Sequence, residues 1–245
     1  MTHAINLRRV SRGVPRVDSV LLSEDSFRVG RLRRCLDVVL ASLGMVVAGP
    51  LIAVAALAVL VSDGRPVFFR QRRVGEHARP FTLYKLRSMR SEGSGPEVTA
   101  GADVRVTPVG AVLRRLSIDE LPQLWHVLRG EMTLVGPRPE SVALADRYPA
   151  SCRVILQARP GLTGPAQLTY REQAATPPPG WSDVDSWYLK VLVPLRIDAD
   201  LSFLTRPTLG QTLRYLALTA LFVVGLVDLQ RQDFWRSEPG PSGSV

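Results

Sequence analysis

Apolar and polar positions divide the chain into one long uncharged run, a short alternating region and several interrupted amphipathic stretches. The run Val38–Ser62 holds 25 residues without a charge. As a straight helix it would reach about 37 Å, more than a bilayer core requires. A spanning helix is the first expectation, and two features oppose it. Gly49-Pro50 falls at the midpoint, where proline removes a backbone donor and crowds the preceding turn, so a bend is expected. Both flanks are basic, with Arg28, Arg31, Arg33 and Arg34 before the run and Arg65, Arg70, Arg72 and Arg73 after it. Basic flanks favour the cytoplasmic side, so two basic ends suit a helix that enters and leaves one leaflet. The pattern therefore predicts a re-entrant membrane helix over residues 31–64. A cleaved signal peptide fits poorly, because the polar lead before the run is too long.

Elsewhere the periods are shorter. Val67-Phe68-Phe69 and Phe81–Arg87 read as strands; in the second, Lys85 and Arg87 would share a face. Leu113–Leu128 reads as a helix through Leu121, Leu124, Trp125 and Leu128. Gly136–Pro139 and Arg159–Pro165 read as rigid turns, Glu92–Gly101 as a loop and Pro177–Gly180 as a break. Tyr215–Val227 is too short to span comfortably. It is a core helix or an interfacial one, and Arg206, Arg214 and Arg231 favour the interface. The expected fold is α/β, mostly helical with a small β element. Its parts are a flexible basic arm (1–30), the re-entrant helix (31–64), a cytoplasmic catalytic domain with a C-terminal interfacial helix (65–230) and a disordered tail (231–245).

Charge narrows the choice of partner. The 245 residues carry 31 Lys and Arg against 22 Asp and Glu, a net charge of +9. Eight basic residues and one acid, Glu76, lie between Arg65 and Arg90. That balance points to nucleic acid, an acidic membrane surface or a phosphorylated substrate, unless it serves only solubility. The basic arm suits anionic headgroups or is simply unstructured. Cys35 and Cys152 have no metal spacing; Cys35, beside the apolar run, reads as a small buried hydrophobe. The three histidines are scattered, which argues against a zinc site.

Ser117-Ile118-Asp119-Glu120-Leu121-Pro122 is the stretch richest in chemistry. As a capping box it would place Pro122 inside a helix. A helix starting at Pro122 fits proline better and leaves Asp119 and Glu120 at its N-terminal end. There the dipole favours negative charge and attracts phosphate, and the two carboxylates could hold Mg²⁺. A solvated acidic cap remains the plain alternative. Arg138, between Pro137 and Pro139, is held by a stiff loop and has the fork that grips phosphate; a surface arginine on a turn is equally compatible. Arg114 and Arg115 precede the acid pair and either could face it. Asp183 and Asp185 could meet a metal or a sugar, or cap the helix that follows.

Taken together, the segments Arg34–Asp37 with the apolar run, Gly64–Gly75, Phe81–Met89, Leu113–Gly130, Leu134–Glu140 and Arg159–Gln167 resemble the bacterial sugar transferase family, the monotopic phosphoglycosyl transferases, in their short form. They cover most of residues 31–170. Asp119-Glu120-Leu121-Pro122-Gln123-Leu124 followed by Gly136-Pro137-Arg138-Pro139-Glu140 is the specific combination. The resemblance implies an enzyme of the substituted-phosphate transferase class, EC 2.7.8, at the cytoplasmic face of the inner membrane. It would move a sugar 1-phosphate from a UDP-sugar to polyprenyl (undecaprenyl) phosphate, the first membrane step of exopolysaccharide or glycoconjugate synthesis. Asp119 would be the nucleophile, forming a covalent phosphosugar intermediate and releasing UMP. Glu120 would bind Mg²⁺ and orient the reacting groups. Lys85, Arg87, Arg114, Arg138 and, on a weaker match, Asp185 would serve phosphate or substrate binding. The partners would be the UDP-sugar, the polyprenyl phosphate and the lipid bilayer, with no nucleic acid and with homo-oligomers left open.

Three features depart from the family pattern. His126 stands where Asn is common, Gly49 precedes Pro50 where Ser is frequent, and residues 172–205 match poorly. Two other readings compete. Asp63-Gly64-Arg65 is a fragment of a CDP-alcohol phosphatidyltransferase pattern that would need several spanning helices. A membrane-tethered nucleic-acid-binding or adaptor protein could use Leu113–Arg129 as a recognition helix, but that leaves Gly136–Pro139 unexplained.

Overall fold

The computed structural model describes residues 27, 29–90, 104–170 and 183–226. Residues 1–26 of the expected arm, the loop Glu92–Gly101, the break Pro177–Gly180 and the tail 231–245 lie outside the described residues.

Helix α1 (Arg31–Asp63) runs for 33 residues with Pro50 inside it and stops at Gly64, whose backbone is left-handed at φ 70°. Its buried positions are Arg33, Asp37, Ala41, Ala48, Ala55 and Val59. Separations of four and seven place them on one face. Small residues on that face let backbones approach closely; a Cβ added at Gly44 would come 3.3 Å from the Leu124 side chain. The opposite face is apolar and bare, with Val46, Val47 and Val61 76–79 % exposed. A stripe of that size requires an apolar neighbour. Cys35 is exposed rather than buried, because the face that meets the protein is the one carrying Arg33 and Asp37. Among the described residues α1 alone is long and apolar enough to cross a membrane.

Both ends of α1 are bonded to the same body. At the start, Arg33 donates to the Val135 carbonyl at 3.0 Å, and Arg34 to those of Val127 and Leu128 at 2.6 and 2.9 Å. Asp37 accepts from the Thr133 hydroxyl at 2.6 Å and the Leu134 N–H at 3.1 Å. At the far end the Asp63 carboxylate accepts from the Thr107 hydroxyl at 2.9 Å. Arg87 donates to the carbonyls of Asp63, Gly64 and Arg65.

Strands β1 (Phe68–Val74) and β2 (Pro80–Leu86) form an antiparallel pair with Phe69 opposite Lys85 and Arg70 opposite Tyr84. His126 fixes β2 from outside: its Nε2 accepts the Tyr84 N–H at 3.1 Å and its Nδ1 lies 2.7 Å from Glu131. The helix expected over residues 113–128 is three pieces: α2 (Pro108–Arg115), a 3₁₀ segment (Ile118–Gln123) and α3 (Leu124–Arg129). The break falls at Ser117, whose φ of 55° cannot continue a right-handed helix. This also removes the long recognition helix that a nucleic-acid reading needs.

Two further strands, β3 (Thr133–Val135) and β4 (Gly161–Thr163), pair in parallel. Glycine is required where their ends meet. A Cβ at Gly161 would lie 2.1 Å from the Gly136 nitrogen, and one at Gly164 would lie 2.2 Å from the Gly136 oxygen. The remaining elements are α4 (Val142–Ala145), a 3₁₀ segment (Ala150–Gln157), α5 (Pro165–Thr169), α6 (Val184–Trp187), a π turn (Tyr188–Leu192), α7 (Val193–Leu204) and α8 (Leu209–Val223). Trp187, Phe203, Leu192, Met132 and Val127 are fully enclosed in the main core. Helix α8 opens with a capping box between Thr208 and Gln211, buries Thr212 and Leu218, and leaves Leu213 and Leu221 exposed. The described architecture is thus mostly helical, with two small two-stranded sheets and one long apolar helix near the N-terminus.

Candidate active site

The acid pair lies in the first turn of the 3₁₀ segment, which begins after Ser117 and carries Pro122 inside it. The expectation of a helix opening at Pro122 is therefore corrected. Left-handed Ser117 starts the turn three residues after Arg114, and Ser117 supplies no side-chain cap. A six-residue 3₁₀ segment offers a weaker dipole than a long α-helix, so the charge on the carboxylates must be held by neighbours. Asp119 is 6 % exposed. Burial, then the adjacent Glu120, push its carboxyl above the ordinary carboxylate range, while Lys85, Arg114 and Arg138 pull it back. The dipole expected to keep Asp119 ionised is not the controlling influence.

Three segments bring cations to this pair: β2, α2 and the loop after β3. Lys85 comes from β2; burial lowers its ammonium to about 8, against the raising influence of Glu120 and Asp119. Its Nζ sits 5.2 Å from the centre of the Phe69 ring. Arg138 places Nη2 2.8 Å from Glu120 Oε1 and Nη1 3.4 Å from Gln167, and its side chain remains 40 % exposed. Glu120 is the main influence that raises the Arg138 guanidinium above its ordinary value. Arg114, in the last turn of α2, rests its Nη1 3.0 Å from the Met89 sulfur and is felt by Asp119. Arg115 faces outward and is exposed.

The stiff presentation of Arg138 has a visible cause. Gly136 N donates to Thr163 O at 2.8 Å and Gly161 N to Pro137 O at 2.7 Å, locking the two proline-rich turns together. Behind the loop, Glu140 accepts from both Tyr148 and Tyr188, and its other oxygen lies 3.5 Å from Arg73 Nη1. Arg196 donates to the Tyr188 hydroxyl at 2.6 Å. Burial, first among the causes, raises both phenols, so they stay protonated and donate. Sequence reasoning did not find this network. Glu140 belonged to the quoted motif, but Tyr188 and Arg196 fall in the poorly matching stretch.

Lys85, Arg114, Arg138, Asp119 and Glu120 are brought together; Arg87 and Asp185 are not. Arg87 lies one residue beyond β2 and turns to the carbonyls at the end of α1. Asp183 is the cap of α6 through the Asp185 N–H, and Asp185 pairs with Arg147 at 2.9 Å. Among the described residues no three His, Cys, Asp or Glu side chains group as a metal cage. Two adjacent carboxylates beside a cationic rim fit Mg²⁺, which takes one or two carboxylates and completes its shell with water and substrate phosphate. A buried carboxylate, a second acid and converging cations form a site suited to attack on a phosphoryl group.

A family model described as bacterial sugar transferase matches residues 29–223. A UDP-glucose:undecaprenyl-phosphate glucose-1-phosphate transferase of Caulobacter vibrioides is 49 % identical over 141 residues, 56 % of this chain and 53 % of that protein. A putative undecaprenyl-phosphate N-acetylgalactosaminyl 1-phosphate transferase of Bacillus subtilis is 41 % identical over 137 residues, covering 55 % of this chain and 76 % of the relative. An exopolysaccharide production protein of Rhizobium meliloti is 37 % identical over 163 residues, 60 % of this chain and 72 % of that one. The chain thus spans about half the length of the Caulobacter relative.

Proposed function

We propose, from the premise that this chain belongs to the bacterial sugar transferase family, that it transfers a sugar 1-phosphate from a UDP-sugar to undecaprenyl phosphate. The observation that carries this reading is the convergence of Lys85 and Arg138 on buried Asp119 and its half-buried neighbour Glu120. An Asp119 carboxylate oxygen attacks the β-phosphorus of the UDP-sugar. The bond from that phosphorus to the bridging oxygen breaks, and UMP leaves with the electron pair. An oxygen of the lipid phosphate then attacks the same phosphorus, forms the diphosphate and releases the Asp119 carboxylate. Two easier displacements replace one hard one.

Each neighbour has a task in this scheme. Lys85 and Arg114 oppose the burial that disfavours the ionised form of Asp119. Arg138 offers its exposed fork to the nucleotide phosphates, and Glu120 sets the direction of that fork. Glu120 would hold Mg²⁺, which when bound supplies positive charge against the phosphoryl oxygens. Glu140, anchored by two tyrosines, steadies the loop that carries Arg138.

The same reading makes α1 a re-entrant anchor, with the domain on the cytoplasmic face of the inner membrane. In support, both ends of α1 are bonded to one domain and its outward face is apolar. An active site at headgroup depth turns the second step into an encounter on a surface, which lowers its orientational cost. The relatives' names carry different sugars, glucose and N-acetylgalactosamine, so the sugar is open. The test incubates purified protein in detergent with Mg²⁺, undecaprenyl phosphate and a panel of UDP-sugars and measures UMP. Lipid-dependent UMP release with one sugar supports the proposal; none with any sugar refutes it.

A further inference from the structure

An open groove of about 590 Å³ lies beside the start of β1, lined by Pro66, Val67, Phe68, Phe69, Arg70 and Arg87. We infer that it seats the first isoprene units of the lipid acceptor and leads the acceptor phosphate to Lys85; this rests on the transferase reading above.

The lining is apolar on its walls and cationic at its ends. Phe68 and Phe69 are 40 % and 39 % exposed although each is a large hydrophobe. Consecutive strand residues point to opposite faces, so this aromatic pair wraps the edge of β1. On one face Phe68 neighbours Arg70, whose guanidinium lies 5.6 Å from the Tyr84 ring centre. On the other face the Phe69 ring carries the Lys85 ammonium. Lys85 in turn senses the charges of both Asp119 and Glu120. Phe69 is therefore a wall shared by the groove and the reacting cluster.

Its position is continuous with the membrane-facing surface. The groove begins at Pro66, three residues after α1 ends at Asp63. Arg87 closes one side and is already bonded to carbonyls there, so it contributes shape more than charge. The result is an apolar channel with a cation at the mouth. That suits a single hydrocarbon chain ending directly in a phosphate, with no ester groups to accommodate. A diacyl phospholipid has two chains and polar esters at this depth and matches the lining less well.

The test uses full-length protein in detergent with acceptors of increasing isoprene number. Two readouts separate the half-reactions: UMP released in a single turnover without acceptor, and the KM for acceptor. Phe68→Glu is expected to keep the single-turnover UMP burst and to raise the KM for undecaprenyl phosphate at least about tenfold. The KM for a two-isoprene phosphate should change less. An unchanged KM for the long acceptor overturns the groove. In wild type, an undecaprenyl phosphate with a photoreactive group in its first isoprene units should crosslink within residues 66–70; labelling confined to α1 overturns the groove without relying on any variant. Absence of UMP from wild type with every UDP-sugar refutes the underlying transferase reading, an outcome distinct from either of these.

Discussion

Lys85 and Arg87 stand two residues apart in one basic segment and do opposite work. Lys85 still lies in β2, where burial lowers its ammonium to about 8 and two carboxylates raise it. Arg87 lies just past the strand, where its guanidinium binds three carbonyls at the end of α1. One cation is held at low affinity for its own proton beside the Asp119–Glu120 pair; the other closes a helix end that would otherwise leave carbonyls unsatisfied. Local sequence treats the two alike. What separates them is the chain reversal at Gly64–Pro66, which brings the end of α1 under Arg87 and leaves Lys85 facing the 3₁₀ segment.

The comparison breaks most sharply at Lys85. Lys85→Met should lower kcat/KM for the UDP-sugar by about a thousandfold, the cost of losing a charge aimed at a developing anion, while thermal unfolding at neutral pH stays at or above wild type, since burial disfavours the ammonium. Equal losses of activity and stability would contradict the assignment. Arg87→Met should do the reverse. Leaving the half-buried carbonyls at the end of α1 without this donor costs about 1–2 kcal/mol, seen as a lower denaturant midpoint, while kcat per folded molecule is retained. A catalytic collapse without a stability loss would move Arg87 back among the substrate-binding residues. Arg138→Lys sharpens the picture further: removing the two-pronged fork should cost about tenfold in kcat/KM, mostly through substrate binding.

The smallest effect is in pH. The folded-state value of Lys85, about 8, lies below the ordinary 10.5. Between those limits the unfolded chain keeps a proton that the folded chain has released, so this group makes stability rise with pH across that window. Activity that needs the ammonium falls through the same window. Thermal melts and kcat/KM profiles of wild type should therefore run in opposite directions above pH 8, and the contribution of Lys85 to the melts should vanish in Lys85→Met.

The long apolar helix and the acid pair were readable from sequence because each is local: an uncharged run, and two acids before a proline. The strand bearing Lys85 was readable for the same reason. The role of Arg87 was not, since it depends on a reversal some twenty residues earlier. The helix expected to begin at Pro122 was misread because the left-handed turn at Ser117 starts the segment sooner. Cys35 was expected inside, yet the charged clamp of Arg33, Arg34 and Asp37 sets which face of α1 is covered. Tyr188 and Arg196 reach Glu140 from across the fold, a contact no spacing along the chain could reveal.

The central claim is that Asp119 carries the sugar phosphate covalently. Intact mass spectrometry of wild type with Mg²⁺ and the matching UDP-sugar, without acceptor, measures it directly. The account predicts one phosphosugar adduct per chain, lost on adding undecaprenyl phosphate and absent from Asp119→Asn. An adduct that persists in Asp119→Asn, or full lipid-dependent turnover by that variant, would contradict it.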